Sequence, residues 1–452
     1  MRDHETRDER ELAPDGALIR AVGVWGLTAA IVNVTVGGGI FRLPSGVAAS
    51  LGAAAPIAYV VCAIAMGLIV LCFAEAGSRV ALTGGPYAYV EVAFGPFVGF
   101  LSGALLWAGV TAALAAVTSF FADSLVALLA AFAPPITSTV ARVIVMLIIL
   151  GGLTALNIRG VRGASRFNSA MTIAKLLPLA VLVVVGAFAL QRTHLIWREA
   201  PSVGAIGRSS VLLIFAFLGV ETALVPSGEV KDPARTVPRA VLLAIASIAV
   251  LYVAVQIVAQ GVLGASLATS TTPVADAGGA VFGPWGRTLI LVGSTVSMFG
   301  YVSGMTLAVP RMLFAFARDG FLPRSVAAVH PRFRTPYRAI AIQAVLVALL
   351  AASGSFEKLA IVANGAVLLV YATCCLATVA LRRRDVRAGG VPFSIPAAGL
   401  VPWLALAILV ALLATLQRGE WLAVLVVVAA AVVVFGVARS RRGPAIAESV
   451  GD

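Results

Sequence analysis

The stretch Thr35-Val36-Gly37-Gly38-Gly39-Ile40-Phe41-Arg42-Leu43-Pro44 lies within an apolar run, residues 22–51, that is long enough to cross a lipid bilayer. Glycine inside a helix costs about 1 kcal/mol relative to alanine, so three in succession predict a break in the helix. Inside a membrane, the N–H and C=O groups freed by such a break need partners. The charged ends of a solute could supply them; a tightly packed helix crossing is the alternative interpretation of the glycines.

The composition of the 452-residue chain is typical of an all-α polytopic membrane protein. It is 60% hydrophobic and 12% charged, with a mean hydropathy of +1.02. The apolar runs predict about 12 transmembrane helices, each near the length that a bilayer requires. These predicted spans are residues 22–51, 53–77, 88–118, 138–156, 167–190, 208–229, 238–260, 285–316, 338–353, 358–380, 396–416 and 421–438. No removable signal peptide is expected, because the first apolar run has no small-residue cleavage site.

The net charge of +13 is explained by membrane topology without a nucleic-acid partner. Of the 33 Lys and Arg residues, 23 fall in the tails and the even-numbered turns, seven in the odd-numbered turns and three within spans. Cytoplasmic loops carry an excess of Lys and Arg. The sequence therefore predicts a multi-pass protein of the cell membrane with both termini in the cytoplasm.

The sequence contains no pattern that indicates an enzyme, a metal site or a cofactor. The four cysteines lie within predicted spans, and the three histidines are scattered over a tail and two loops. This arrangement predicts neither a disulfide framework nor a metal site. No nucleophile and base constellation and no selectivity filter is visible, so neither an enzyme nor a channel is expected.

The ionisable residues that lie in or beside predicted spans include Lys175, Glu75 and Glu91. Lys175 lies about two helical turns into the fifth span, and an intramembrane lysine is a functional hypothesis by default. Burial disfavours its charged form and would favour reversible proton binding. The alternative is a side chain that extends to the cytoplasmic surface. Glu75 and Glu91 flank a cytoplasmic turn and are expected to reach the interface; contacts with basic loops are the alternative.

The sixth span has a pattern that predicts a second interruption, Phe217-Leu218-Gly219-Val220-Glu221, followed by Pro226 and Gly228. Two discontinuous helices, 1 and 6, each the first of a five-helix set, indicate a five-plus-five inverted repeat with its site at the membrane midplane. The broken ends would present N–H groups to a carboxylate and carbonyl groups to an ammonium. The predicted parts are a cytoplasmic N-terminal tail at 1–20, repeats at 21–190 and 205–380, helices 11 and 12 at 396–438, and a cytoplasmic C-terminal tail at 439–452.

Several motifs in this order resemble those of the amino acid-polyamine-organocation (APC) superfamily of permeases. They are Gly37-Gly38-Gly39-Ile40-Phe41, Gly84-Gly85-Pro86-Tyr87-Ala88-Tyr89-Val90, the Phe217–Glu221 stretch, Glu229-Val230-Lys231-Asp232-Pro233 and Ala317-Arg318-Asp319-Gly320-Phe321-Leu322-Pro323. The resemblance covers about residues 20 to 340. It implies a secondary transporter that moves an amino acid by alternating access.

The resemblance also implies which residues form the site. Substrate-binding positions are Val34, Thr35, Gly37, Gly38, Gly39, Ile40, Phe215, Phe217, Leu218 and Gly219. Backbone amides from Gly37 to Ile40 would bind the carboxylate, and carbonyls of Val34, Thr35, Phe215 and Leu218 would bind the amino group. Phe215 or Phe217 would act as a gate. Many relatives have serine or threonine at the position of Gly38, so one carboxylate-binding hydroxyl is missing.

Two further residues are implied in proton coupling. Lys175 matches the lysine that replaces a sodium ion between spans one and eight in proton-coupled members. Glu221 matches a glutamate that links the broken helices. The expected function is therefore proton-coupled uptake of an amino acid, with no cofactor. The alternatives are an amine or polyamine carrier, an amino acid exchanger and a nontransporting amino acid sensor. The sequence leaves the side chain of the substrate and the oligomeric state open.

Overall fold

The computed structural model describes residues 23–80, 85–130, 139–159, 164–197, 200–224, 230–354, 356–387, 391–395 and 397–442. The α-helices in these ranges are α1 (Val24–Thr35), α2 (Gly39–Leu51), α3 (Ala55–Arg79), α4 (Pro86–Phe94), α5 (Pro96–Ala130), α6 (Thr139–Arg159), α7 (Ala164–Gly186), α8 (Val203–Phe217), α9 (Val220–Ala223), α10 (Pro233–Leu263), α11 (Pro273–Phe282), α12 (Pro284–Ala308), α13 (Pro310–Arg318), α14 (Tyr337–Ser353), α15 (Phe356–Arg383), α16 (Val401–Ala414) and α17 (Arg418–Arg442).

Within the described residues, each predicted span overlaps one helix or a pair of consecutive helices, and the prediction of an all-α polytopic fold is confirmed. Seven described helical stretches are long and apolar enough to cross a membrane, and five shorter apolar helices accompany them. A helix that is apolar on every side can face lipid or the protein core. The most apolar window of α5 is 83% buried, against 17% for α17. Thus α5 is a central helix and α17 a peripheral one.

Both predicted interruptions are present. The first helix ends at Thr35, residues 36–38 are bent, and α2 begins at Gly39. Helix α8 ends at Phe217, a turn follows, and α9 begins at Val220. Pro226 and Gly228 lie outside the described residues. The fold thus has two pairs of half-helices at the positions that the glycines indicate.

The two interruptions touch each other. A Cβ atom added to Gly39 would lie 3.0 Å from the Cα of Ala216, and one added to Gly219 would lie 2.8 Å from Cγ1 of Val34. Gly219 also has a φ of +120°, which L side chains rarely adopt. Only residues without a side chain allow this approach of α1 and α2 to α8 and α9.

The long helices surround this contact. Helix α10 packs along α3, α15 packs along α5, and α12 contacts both α5 and α7. On the other side, α2 packs against α8, and α9 against α1. The interruptions are therefore enclosed by protein, which is the condition for non-helical backbone at membrane depth.

The expectation that Glu75 reaches the interface is wrong. Its side chain is fully buried at the end of α3 and accepts hydrogen bonds from Arg79 (3.0 Å), from Arg382 (2.8 and 2.5 Å) and from the backbone N–H of Ile395 (3.2 Å). A buried carboxylate is tolerated when it is paired and hydrogen-bonded in this way. Glu75 therefore holds α3, α15 and the segment 391–395 together.

The predicted division into repeats and tails stays a prediction. Residues 1–20 and 443–452 of the predicted tails lie outside the described residues, as does Gly84 of the Gly-Gly-Pro motif.

Candidate functional site

The first interruption places a helix N-terminus at the centre of the protein. The Gly37 N–H donates to the carbonyl of Thr35 (2.8 Å), and the Phe41 N–H donates to that of Gly38 (3.2 Å). The first N–H groups of a helix, here those of Gly39 and Ile40 in α2, have no acceptor within that helix. They also lie at the positive end of the helix dipole. This end of α2 is suited to bind a carboxylate.

The walls around the glycines come from α5 and α12. A Cβ on Gly38 would lie 3.4 Å from both Val117 Cγ1 and Met298 Cγ, and a Cβ on Gly37 would lie 3.2 Å from a ring carbon of Tyr301. Val117 and Met298 are buried. The surface that faces the three-glycine break is therefore mostly apolar, with an adaptable methionine in it.

Lys175 is bound to the other side of the same break. Its Nζ donates to the carbonyls of Asn33 and Val36, the latter at 2.8 Å. The Ser297 hydroxyl of α12 lies 3.5 Å from the same Val36 carbonyl. Only 2% of Lys175 is exposed, so the alternative that it extends to the cytoplasmic surface is wrong. The ammonium lies between α1 and α12, at the negative end of the α1 dipole.

Glu221 is the buried acid of the second interruption. Its carboxylate accepts from the Gly219 N–H at 3.0 and 3.1 Å and from the Tyr371 hydroxyl of α15 at 2.7 Å. It thus satisfies the N–H freed by the turn before α9 and connects that turn to α15. The predicted part of Glu221 in proton coupling stays a prediction.

Tyr252 of α10 connects the two interruptions, and the sequence did not identify it. Its hydroxyl lies 2.8 Å from the carbonyl of Ala216 and 3.2 Å from that of Thr35. These acceptors are 36 and 217 positions away along the chain. The only local signal was a tyrosine within an apolar helix, which does not say what the hydroxyl contacts.

The two phenylalanines proposed as gates have different surroundings. Phe217 is fully buried and packs edge-on against Tyr252, with ring centroids 5.2 Å apart. A ring carbon of Phe215 is 3.3 Å from where a Cβ on Gly39 would lie, and its ring packs edge-on against Phe356 at 5.1 Å. The geometry favours Phe215 as the gate, because it is the one that lies against the first break.

Some of the backbone carbonyls that the resemblance assigns to the amino group of the substrate already accept hydrogen bonds within the protein. That of Thr35 accepts from Gly37, and that of Phe215 accepts from the Leu218 N–H at 3.3 Å. A carbonyl oxygen has two lone pairs, so that of Phe215 can accept a second bond, whereas that of Thr35 already lies 3.2 Å from the Tyr252 hydroxyl as well. The carbonyl of Val34 lies at the contact with Gly219. The structure therefore brings all four residues to one place, beside the N-terminus of α2.

Known proteins with similar sequences are membrane transporters. A family model described as "Amino acid permease" matches residues 22–430. The chain is 28% identical over 439 residues to the methylthioribose transporter of Bacillus subtilis, covering 93% of each protein. It is 27% identical to the serine/threonine exchanger SteT of the same bacterium (87% of this chain, 90% of the relative). Identity to its branched-chain amino acid permease BcaP is 28%, over 86% of each.

The match with the family covers both interruptions, Lys175 and Glu221, and it agrees with the multi-pass helical fold. The chain therefore belongs to the amino acid permease family, within the APC superfamily.

Proposed function

We propose that this protein takes up an amino acid together with a proton across the cell membrane, by alternating access, with both termini in the cytoplasm. The observation that carries the proposal is the position of Lys175, whose Nζ donates to the carbonyls of Asn33 and Val36 at the end of α1. A titratable group here contacts the backbone that forms the substrate site.

The protonation of Lys175 is coupled to the shape of the break by these two hydrogen bonds. The ammonium form is a charged donor and binds carbonyl oxygens more strongly than a neutral amine does. It also neutralises the negative end of the α1 dipole. Loss of the proton weakens the attachment of α1 to α7 and favours a different arrangement of the half-helices. Transport and proton movement are linked in this way.

An amino acid fits the polarity of the site. The N-terminus of α2 suits the carboxylate, and the carbonyls near Gly219 suit the ammonium. The wall of Val117 and Met298 suits an apolar side chain, and one relative is named as a branched-chain amino acid permease. We therefore include L-leucine as the first substrate to test, followed by L-serine and L-threonine.

The test is uptake of radiolabelled amino acids into proteoliposomes with an imposed pH gradient, acidic outside. Wild type is expected to accumulate substrate faster with the gradient than without it. Lys175→Ala is expected to lose this acceleration while it still exchanges substrate across the membrane. Lys231→Ala, which alters an exposed lysine, is the matched control and is expected to behave as wild type.

Proton-driven accumulation that is unchanged in Lys175→Ala would contradict the coupling proposal. If wild-type uptake did not depend on the pH gradient but required amino acid inside the vesicle, the protein would be an exchanger. Exchange is the activity for which the relative SteT is named.

A further inference from the structure

A separate cavity of about 550 Å³ lies beyond the Phe215 gate, at the end of the helices that is predicted to be extracellular. Its polar lining includes Arg42 of α2, Asp123 of α5, Arg142 of α6 and Glu357 of α15. Two cations and two anions thus face one water-accessible space. The motifs that identify the family do not account for this cavity.

The four charges form two ion pairs with open sides. Arg42 and Glu357 are 3.4 Å apart, and Arg142 and Asp123 are 2.6 Å apart. Each carboxylate side chain is 50% exposed, against 25% and 23% for the two arginines. A carboxylate has about four lone-pair positions, so Asp123 and Glu357 can each accept from a further donor. The guanidinium groups likewise have donors beyond those in the pairs.

A buried hydroxyl in the lining lacks a partner. Ser124 is 2% exposed, and its Oγ has no hydrogen-bond partner in the described part of the chain. Burying a polar group without a hydrogen bond is unfavourable, so such groups are uncommon and require an explanation. Ser124 is among the residues that line the cavity, so its unpartnered hydroxyl lies beside the space that a polar ligand would fill.

The floor of the cavity is continuous with the gate. Phe120 and Phe356 line the cavity, and their ring centroids are 5.5 Å apart. Phe356 in turn packs on Phe215, which lies against Gly39. Movement of these aromatic rings would join the cavity to the N-terminus of α2.

A smaller cavity of about 370 Å³ adjoins the first, and Arg42 and Glu357 line both. Arg42 is also fixed by the carbonyls of Thr271 (2.9 Å) and Ser270 (3.4 Å). Buried Ser209 lines this second cavity, and it too has an unpartnered hydroxyl in the described residues. The Arg42–Glu357 pair therefore separates two polar cavities, and a ligand that replaced one partner would connect them.

We propose that the larger cavity is a second binding site, which holds a zwitterionic amino acid before it passes the phenylalanine gate. The guanidinium groups of Arg42 and Arg142 bind its carboxylate, and the carboxylates of Asp123 and Glu357 bind its ammonium group. Ser124 supplies a further hydrogen bond. The choice of an amino acid as the ligand rests on the proposed function; the presence of a zwitterion site rests on the charges of the cavity.

The test is the stoichiometry of amino acid binding to the purified full-length protein by equilibrium dialysis, with L-alanine, L-serine, L-leucine and L-lysine as probes. Wild type is expected to bind two molecules of at least one probe, one more weakly. Glu357→Gln is expected to weaken only the second binding event, by tenfold or more. Gly39→Val, which obstructs the first break, is expected to abolish the other. Arg418→Gln, an exposed arginine of the same end, is the control.

Asp123→Asn is a second variant, and it changes the side-chain volume little. The test therefore does not depend on whether Glu357→Gln folds. Size-exclusion chromatography checks each variant. Binding of a single molecule, lost in Gly39→Val and unchanged in Glu357→Gln and Asp123→Asn, would overturn the second site and leave the proposed function intact. Binding that survives Gly39→Val but not Glu357→Gln would support the second site alone. Absence of binding by every probe would overturn both.

Discussion

At each interruption, a buried ionisable side chain binds backbone groups that the break leaves without helical partners, and the two side chains have opposite charges. At the first, the freed carbonyls of Asn33 and Val36 accept from the ammonium of Lys175. At the second, the freed N–H of Gly219 donates to the carboxylate of Glu221. Helix C-termini favour cations and helix N-termini favour anions. Each buried ionisable side chain is therefore bound to the helix end whose partial charge it complements.

We propose that the two helix ends without a buried ionisable side chain bind the substrate. Lys175 binds the C-terminal end of α1 and leaves the N-terminal end of α2 for an anion. Glu221 binds the N-terminal end of α9 and leaves the C-terminal end of α8 for a cation. The open pair has the polarity of an amino acid's carboxylate and ammonium groups.

The largest effect is expected where the two interruptions touch. Gly219→Ala places a methyl group 2.8 Å from Val34 Cγ1 at a φ of +120°, so α1 and α8 must separate. Sparsely populated backbone conformations of this kind cost a residue with a side chain about 1–3 kcal/mol before any clash. We expect the initial rate of uptake in proteoliposomes to fall by about tenfold or more, since 1.4 kcal/mol is a factor of ten.

Gly204→Ala is the control for this substitution, because Gly204 lies in α8, the helix that precedes Gly219, and has nothing within 4 Å of its added Cβ. Wild-type uptake by Gly219→Ala would show that the close contact of the interruptions is not required.

An intermediate effect on uptake is expected when the Glu221 carboxylate of the second interruption is replaced by a neutral amide. Glu221→Gln keeps an oxygen for the Gly219 N–H but loses the charge that strengthens this bond and the bond from Tyr371. We expect the maximal uptake rate to fall by about fivefold, with an altered dependence on pH, measured between pH 5 and 8. A variant that transports at the wild-type rate at every pH would exclude a coupling role for the charge.

Glu420→Gln serves as the comparison, because Glu420 lies at the predicted extracellular end, where it pairs with Arg208 at 3.8 Å and accepts from the Gln417 backbone N–H at 2.6 Å.

The smallest effect is expected from the hydroxyl that joins the two interruptions. Tyr252→Phe removes the donor to the carbonyls of Ala216 and Thr35 while the ring keeps its packing on Phe217. A single neutral hydrogen bond contributes about 0.5–1.5 kcal/mol, and the one hydroxyl hydrogen of Tyr252 is shared between two acceptors, so we expect KM for uptake to rise by about threefold with a smaller change in kcat.

Tyr59→Phe provides a close control. Tyr59 is as buried as Tyr252, yet its hydroxyl has no partner in the described residues, so its loss should leave KM unchanged. Equal KM values for the two variants would mean that Tyr252 does not position the site.

Residues that interrupt a local pattern could be predicted from the sequence. Three glycines in a row, a glycine beside an acid, and a lysine in an apolar helix each break the composition around them. These features sufficed for the interruptions and for the location of Lys175 and Glu221 within the spans. The hydrogen-bond partners could not be predicted, because Tyr371 is 150 positions from Glu221 and the two lie on different helices.

Glu75 shows where the same reasoning fails. Near the end of a span, an acid is usually explained by proximity to water, and the sequence favoured that explanation. Of the two arginines that pair with Glu75, Arg79 is four positions away but Arg382 is 307 positions away. Only the packing of α3 against α15 brings Glu75 and Arg382 together, and local hydropathy contains no information about that packing.

A phenol has one hydrogen, and Tyr252 holds its oxygen between two carbonyls. At any instant only one of the two half-helix ends receives that hydrogen, and the other carbonyl keeps a free lone pair. The shorter distance, to Ala216, marks α8 as the present recipient. A displacement of α1 by less than an ångström would reverse this preference. The choice of acceptor by the Tyr252 hydroxyl is therefore sensitive to very small movements of α1 relative to α8.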